Sequence, residues 1–156
     1  MSMDHDAFLP AQVWLPLLRE TLVNKGHFRW PLQGSSMLPT LPASCEIEIV
    51  PLLTDVRPGE LIVFANGDAL VAHRLVRCSG GHWITQGDGR LGPDSPLDPA
   101  LALGRVSQAY NGGKRCWPGR FSRMAASFWV ARFYLLGPAR LAWHALRRLL
   151  PLGRRK

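Results

Sequence analysis

A chain of 156 residues with 47% hydrophobic and 19% charged residues has room for one domain with a modest core and is too apolar to be a disordered tail. Its formal net charge of +8 comes from 19 Lys+Arg against 11 Asp+Glu, yet the only lysines are Lys25, Lys114 and Lys156. The three cysteines, Cys45, Cys78 and Cys116, show no C-x-x-C spacing, which argues against a zinc site and a disulfide framework; no metal or other cofactor is expected.

The start, Met1 to Phe8, carries Asp4 and Asp6 and lacks a basic stretch followed by an apolar run, so no secretory signal is expected there. Residues 9–25 read as an amphipathic helix, with Trp14, Leu17, Leu18 and Leu22 at helical spacing. Pro10 suits an early helical position, and Pro16 predicts a late start or a kink. Residues 1–27 form this lead-in. From 28 to 110 short apolar runs alternate with Gly, Pro, Asp and Asn, which predicts a compact, mainly β unit. Its candidate strands are 28–33, 46–50, 60–65, 69–78, 82–87 and 103–110. Asn66-Gly67-Asp68 and Ser79-Gly80-Gly81 read as hairpin turns.

Residues 111–156 form a basic segment with no acidic residue after Asp98. It turns helical over 121–150, with a break at Gly137-Pro138. Its longest apolar stretch, Met124 to Leu136, is interrupted by Arg132 and falls short of the ~18 uncharged residues that a spanning helix needs. Further on, Ala142, Trp143, Leu146, Leu149 and Leu150 share one side of a wheel, with Arg140, His144, Arg147 and Arg148 on the other. Two readings compete for this pattern: a helix lying in a membrane interface, and a helix capping the β unit's own core. Trp117, Trp129 and Trp143 look more like interface anchors than a base-stacking platform, so specific nucleic-acid binding is not expected.

Three runs carry candidate chemistry. Gly34-Ser35-Ser36-Met37-Leu38-Pro39-Thr40-Leu41 follows a strand-like segment, and a serine on a Gly-entered loop can offer its hydroxyl and its backbone N–H to the same point. An ordinary turn has the same composition. Within Leu70 to Val76, a strand would put Val71, His73 and Leu75 on one face, where partial desolvation favours the neutral imidazole that a general base needs. A satisfied core histidine fits that face as well. In Thr85-Gln86-Gly87-Asp88-Gly89-Arg90, with Asp94 shortly after, either carboxylate could orient an imidazole, or both could serve as loop-forming Asp residues.

Taken together, these runs resemble the signal peptidase I family, and in particular its serine–histidine branch. The family's Ser-Met-x-Pro-Thr box is matched by Ser36-Met37-Leu38-Pro39-Thr40, and its Pro-Gly-Asp/Glu strand by Pro58 to Phe64. Its His-Arg-Val-like segment is matched by His73-Arg74-Leu75, and its Gly-Asp box with a second aspartate six residues on by Gly87, Asp88 and Asp94. Gly104-Arg105-Val106 resembles the strand that follows. The resemblance spans residues 28–108 or so. In the bacterial branch the base is a lysine; no lysine lies between Lys25 and Lys114, and His73 stands in its place.

The resemblance implies a serine endopeptidase in which Ser36 attacks, His73 is the base, and Asp94, or Asp88 in its stead, orients the imidazole. The expected substrate is a precursor peptide or preprotein cut after small residues. Relatives often place a serine two positions before the nucleophile as an oxyanion donor. Here that position is Gly34, leaving the Ser36 N–H, with or without Ser35. The family is usually tethered by a transmembrane segment, and the amphipathic ends are expected to provide peripheral membrane contact instead, with the cytoplasmic face favoured. The self-cleaving SOS-repressor family shares the Ser-Met box but needs a lysine base, which is missing. A non-catalytic peptide-binding module is the alternative.

Overall fold

The computed structural model describes residues 11–118, apart from residue 53, and residues 124–135. The expected segment over 137–150 lies outside them, as does Pro10. The described chain is mainly β, with one helix on the N-terminal side of the sheet and one on the C-terminal side.

Helix α1 spans Ala11–Lys25. It starts five residues before Pro16 rather than after it. Trp14 and Leu22 are buried, Leu15 and Leu18 pack against the main core, and Leu17 is exposed. Tertiary burial of this stripe offsets the hydrogen bond that Pro16 cannot donate. Arg19 Nη2 donates to the Ala100 carbonyl at 3.0 Å, which ties the helix to the turn before the sixth strand.

Seven strands follow: β1 (Phe28–Gln33), β2 (Ser44–Val50), β3 (Leu61–Asn66), β4 (Ala69–Ser79), β5 (His82–Gln86), β6 (Ala102–Asn111) and β7 (Lys114–Trp117). They form one antiparallel sheet in the order β1-β2-β6-β3-β4-β5, with β7 pairing the end of β6. Six of these lie where the alternation of apolar runs and turn residues predicts them. The seventh was not expected. It carries no buried residue, and its signal is the turn before it: Asn111 pairs Lys114 across Gly112-Gly113, whose φ values of 55° and 78° are those of a tight hairpin.

β3 is buried on both faces, which is why Leu61 to Phe64 reads as an unbroken apolar run. Leu61 and Val63 point into the main core with Ile47, Ile49, Val106, Met37, Leu41 and Leu22 of α1. Ile62 and Phe64 point the other way, into a second cluster with Leu75, Leu97 and Ala102. The candidate site is built on the margin of this second cluster.

No described helix is long and apolar enough to cross a membrane.

Candidate active site

The loop between β1 and β2 carries Ser36. Its neck is closed by Gly34 N–H donating to the Ala43 carbonyl at 2.8 Å, and Leu41 N–H donates to the Met37 carbonyl at 2.9 Å. Met37 and Leu41 are anchors driven into the main core, so Ser36 sits on a loop that apolar burial holds in place. Gly34 has φ +110°, a conformation that strains any residue with a Cβ. The backbone itself thus favours glycine at this position. Among the described residues the Ser36 N–H has no hydrogen-bond partner, which leaves it available to an incoming oxygen.

His73 lies on β4, and alternation along the strand gives it the face of Val71 and Leu75, as the sequence predicts. Both aliphatic neighbours belong to the second cluster, and Phe64 meets the imidazole edge-on at a centroid distance of 6.2 Å. The ring is 3% exposed, so water does not compete for its nitrogens from the core side.

Asp94 arrives from the loop after β5. That loop runs back antiparallel to β5: Asp94 N–H donates to the Thr85 carbonyl at 2.8 Å, and Trp83 and Leu97 exchange two bonds of 2.8 Å each. Thr85 Oγ1 then donates to Asp94 Oδ2 at 2.8 Å. The same Oδ2 lies 2.6 Å from His73 Nδ1, and His73 Nε2 lies 3.0 Å from Ser36 Oγ. With Asp94 ionised, Nδ1–H donates to it and the lone pair on Nε2 faces the Ser36 hydroxyl, the tautomer required of a base. Burial pushes the Asp94 carboxyl up, but the hydrogen bond and charge of His73, the Thr85 hydroxyl and the nearby Arg90 outweigh it, and the group is held below the ordinary carboxylate range.

The structure separates the two carboxylates that the sequence leaves open. Asp88 is not on the imidazole. Its side chain is sealed beneath the loop, with Arg74 Nε donating to Oδ1 at 2.8 Å and Nη2 to Oδ2 at 2.6 Å. Thr40 Oγ1 also donates to Oδ2, and Arg74 Nη1 donates to the Gly59 carbonyl at 2.7 Å. Arg74 follows His73 on the strand and therefore faces the opposite side. Ser35 is exposed and lines the cleft beside Ser36.

The roles of Thr85 and Arg74 are additions to the sequence reading, and nothing in their spacing marks them. Gly87 is another. A Cβ there would lie 2.5 Å from the Ser36 carbonyl oxygen and 3.1 Å from His73 Nε2, so position 87 takes glycine because the Ser36 loop and the imidazole close over it.

Ser36 and His73 open into a cleft of about 800 Å³, walled by Leu32, Phe64, Leu70, Pro93 and Pro96, with Arg90 at its rim. β4 pairs β5 only from Arg74 onward, so its segment 69–73 presents an unpaired strand edge to the cleft. An extended peptide can add to such an edge through main-chain hydrogen bonds. Cys45 is buried, Cys78 and Cys116 are exposed, and none lines the cleft.

The chain matches no protein-family model, no curated protein and no solved structure.

Proposed function

We propose that the chain is a serine endopeptidase of signal peptidase I type, acting on a leader or precursor peptide after small residues. The observation that carries this reading is the unbroken line from Asp94 Oδ2 through His73 to Ser36 Oγ, with steps of 2.6 and 3.0 Å, at the wall of an open cleft.

The proposed reaction begins with an extended peptide lying along the free edge of β4. Ser36 Oγ attacks the scissile carbonyl carbon as its proton passes to His73 Nε2. The oxyanion is met by the Ser36 N–H, with Ser35 beside it. His73 returns the proton to the leaving amine as the C–N bond breaks, and an acyl ester remains on Ser36. Water, deprotonated by His73, then attacks that ester and Ser36 recovers its proton. Asp94 acts through His73, fixing the tautomer and stabilising the imidazolium.

Peripheral membrane contact belongs to the same proposal. In the helix over residues 124–135, Met124, Phe128, Tyr134 and Leu135 are exposed, and no acidic residue follows Asp98, so the apolar face and the positive charge act together on an anionic lipid surface. Flotation with vesicles containing anionic lipid tests this; a chain left in the soluble fraction speaks against it.

The deciding experiment is cleavage of a peptide library by the wild-type, Ser36→Ala and His73→Ala proteins, with product masses read directly. Cleavage after small residues that both substitutions abolish is expected. Undiminished cleavage by the variants places the activity elsewhere. No cleavage or acylation by a folded wild type favours a peptide-binding module on the same cleft.

A further inference from the structure

The helix over residues 124–135 reaches the site at the Asp88–Gly89 peptide unit. Arg132 Nη1 donates to the Asp88 carbonyl oxygen at 3.1 Å. Its guanidinium carbon stands 4.9 Å from the centroid of the Trp129 ring, so the side chain is braced against its own helix, one turn back. The other end of that peptide unit is Gly89 N–H, which donates to the Ser36 carbonyl at 2.9 Å. A planar trans peptide holds C=O and N–H in opposite directions, and the two can turn only together. Fixing the oxygen with a cation therefore aims the N–H, and polarisation of the amide makes that N–H a stronger donor.

Little slack exists to absorb a change. A Cβ on Gly89 would lie 2.9 Å from the Ser35 carbonyl oxygen, and one on Gly87 would lie 2.5 Å from that of Ser36. The Asp88 carboxylate is already pinned from below by Arg74 and Thr40. The helix is seated at a second point as well: a Cβ on Gly59 would come 3.3 Å from Ala126 Cβ, and the Gly59 carbonyl accepts from Arg74. The helix thus meets two of the three loops that Arg74 contacts, those of Gly59 and Asp88.

From these contacts we propose that Arg132 is a positioning residue for Ser36: through the Asp88–Gly89 peptide it sets the backbone of the nucleophile loop, so that full reactivity of the serine depends on the C-terminal helix. This rests on the reading of Ser36 as the nucleophile.

The test uses the full chain and a fluorophosphonate probe, which forms an O–P bond with an activated serine as fluoride leaves and the hydroxyl proton passes to the base. Labelling rates as a function of pH are compared for wild type, Ser36→Ala, Arg132→Gln, Arg132→Lys and Arg132→Ala, together with hydrogen exchange at the Gly89 amide. Arg132→Gln is expected to label about tenfold more slowly, in keeping with loss of one charge-assisted hydrogen bond. The acid limb of its pH profile stays in place, because His73 and Asp94 are untouched, while the Gly89 amide exchanges faster. Arg132→Lys recovers part of the rate, and added guanidinium ion restores part of the rate to Arg132→Ala.

Unchanged labelling and unchanged Gly89 exchange in a folded Arg132→Gln protein overturn the proposal. So does a slower rate that merely tracks a lower Tm and that neither lysine nor guanidinium restores. A wild type that does not label refutes the nucleophile reading instead, and Gly89 exchange then still tells whether Arg132 holds the peptide.

Discussion

Two neighbouring residues of β4, His73 and Arg74, build two triples from the same three pieces of chain. Facing the cleft, His73 joins Ser36 of the β1–β2 loop to Asp94 of the loop after β5. Facing the interior, Arg74 contacts Thr40 of that same first loop and Asp88 of that same second loop. Each triple has a hydroxyl, a cation-forming side chain and a carboxylate. They differ in access to solvent. Arg74 and Asp88 are sealed beneath the loop, whereas the equally buried imidazole of His73 meets the cleft between Ser36 and Asp94, both of them partly exposed. The Arg74 arrangement is a clamp and the His73 arrangement is suited to chemistry. The teaching is that a strand's alternation lets one pair of loops be locked on one face and used on the other.

Asp94→Asn breaks the chemical side alone and should have the largest effect. The amide can donate to Nδ1, which favours the tautomer that presents N–H, not a lone pair, to Ser36. A loss of roughly 10⁴-fold in kcat is expected. Urea unfolding should change far less than the rate; equal collapse of both would erase the distinction between the triples. Arg74→Met breaks the structural side. It leaves Asp88 buried without its cation, at a cost of about 3–5 kcal/mol in unfolding free energy. The double variant Arg74→Met with Asp88→Leu should recover much of that loss, since a buried pair is costly mainly when halved. If Arg74→Met unfolds normally and loses only activity, the clamp reading is wrong.

Much of this was legible in the sequence. Period-two alternation around His73 gives its face, and the unbroken run Leu61 to Phe64 marks a strand buried on both sides. Ser36 is legible through the motif that surrounds it. The assignment of Asp88 and Asp94 was not legible, because both lie in an aperiodic loop, and what separates them is the opposite facing of His73 and Arg74 across the sheet. β7 escaped because Lys114–Trp117 pairs at an edge and only Trp117 is half-buried against the core, so no apolar alternation announces it. Arg132 is the sharpest case. Its sequence context shows a charge interrupting an apolar stretch. Its partner is a carbonyl 44 residues earlier, a contact that no local pattern encodes.

Gly87→Ala tests how tightly the two triples are coupled. The new methyl group would lie 2.5 Å from the Ser36 carbonyl oxygen and 3.1 Å from His73 Nε2, so it would press on the serine and the imidazole together without removing any hydrogen-bonding group of either triple. A displacement of the serine on the order of 1 Å is enough to cost about 100-fold in rate. Activity should fall while KM changes little, because the cleft walls and the free edge of β4 are not altered. A loss carried mainly in KM would mean that the loop contributes to substrate binding more than to aiming the hydroxyl.

The smallest effect concerns acid. Asp94 has a folded-state pKa lowered by His73, Thr85 and Arg90 against the upward push of burial. A depressed carboxylate binds its proton more weakly when folded than when unfolded. Its contribution to stability is therefore complete above the unfolded carboxylate value of about 3.9 and disappears as pH falls through the lower folded value. Urea unfolding of wild type and Asp94→Asn, compared between about pH 5 and pH 2, should show the wild type losing more stability than the variant. The difference should be modest, because the Asp94 side chain is 17% exposed and solvent screens part of its interaction. Parallel curves would mean that Asp94 is no better held in the folded chain than in the unfolded one, and the carboxylate on the chemical side would lose its claim to orient the imidazole.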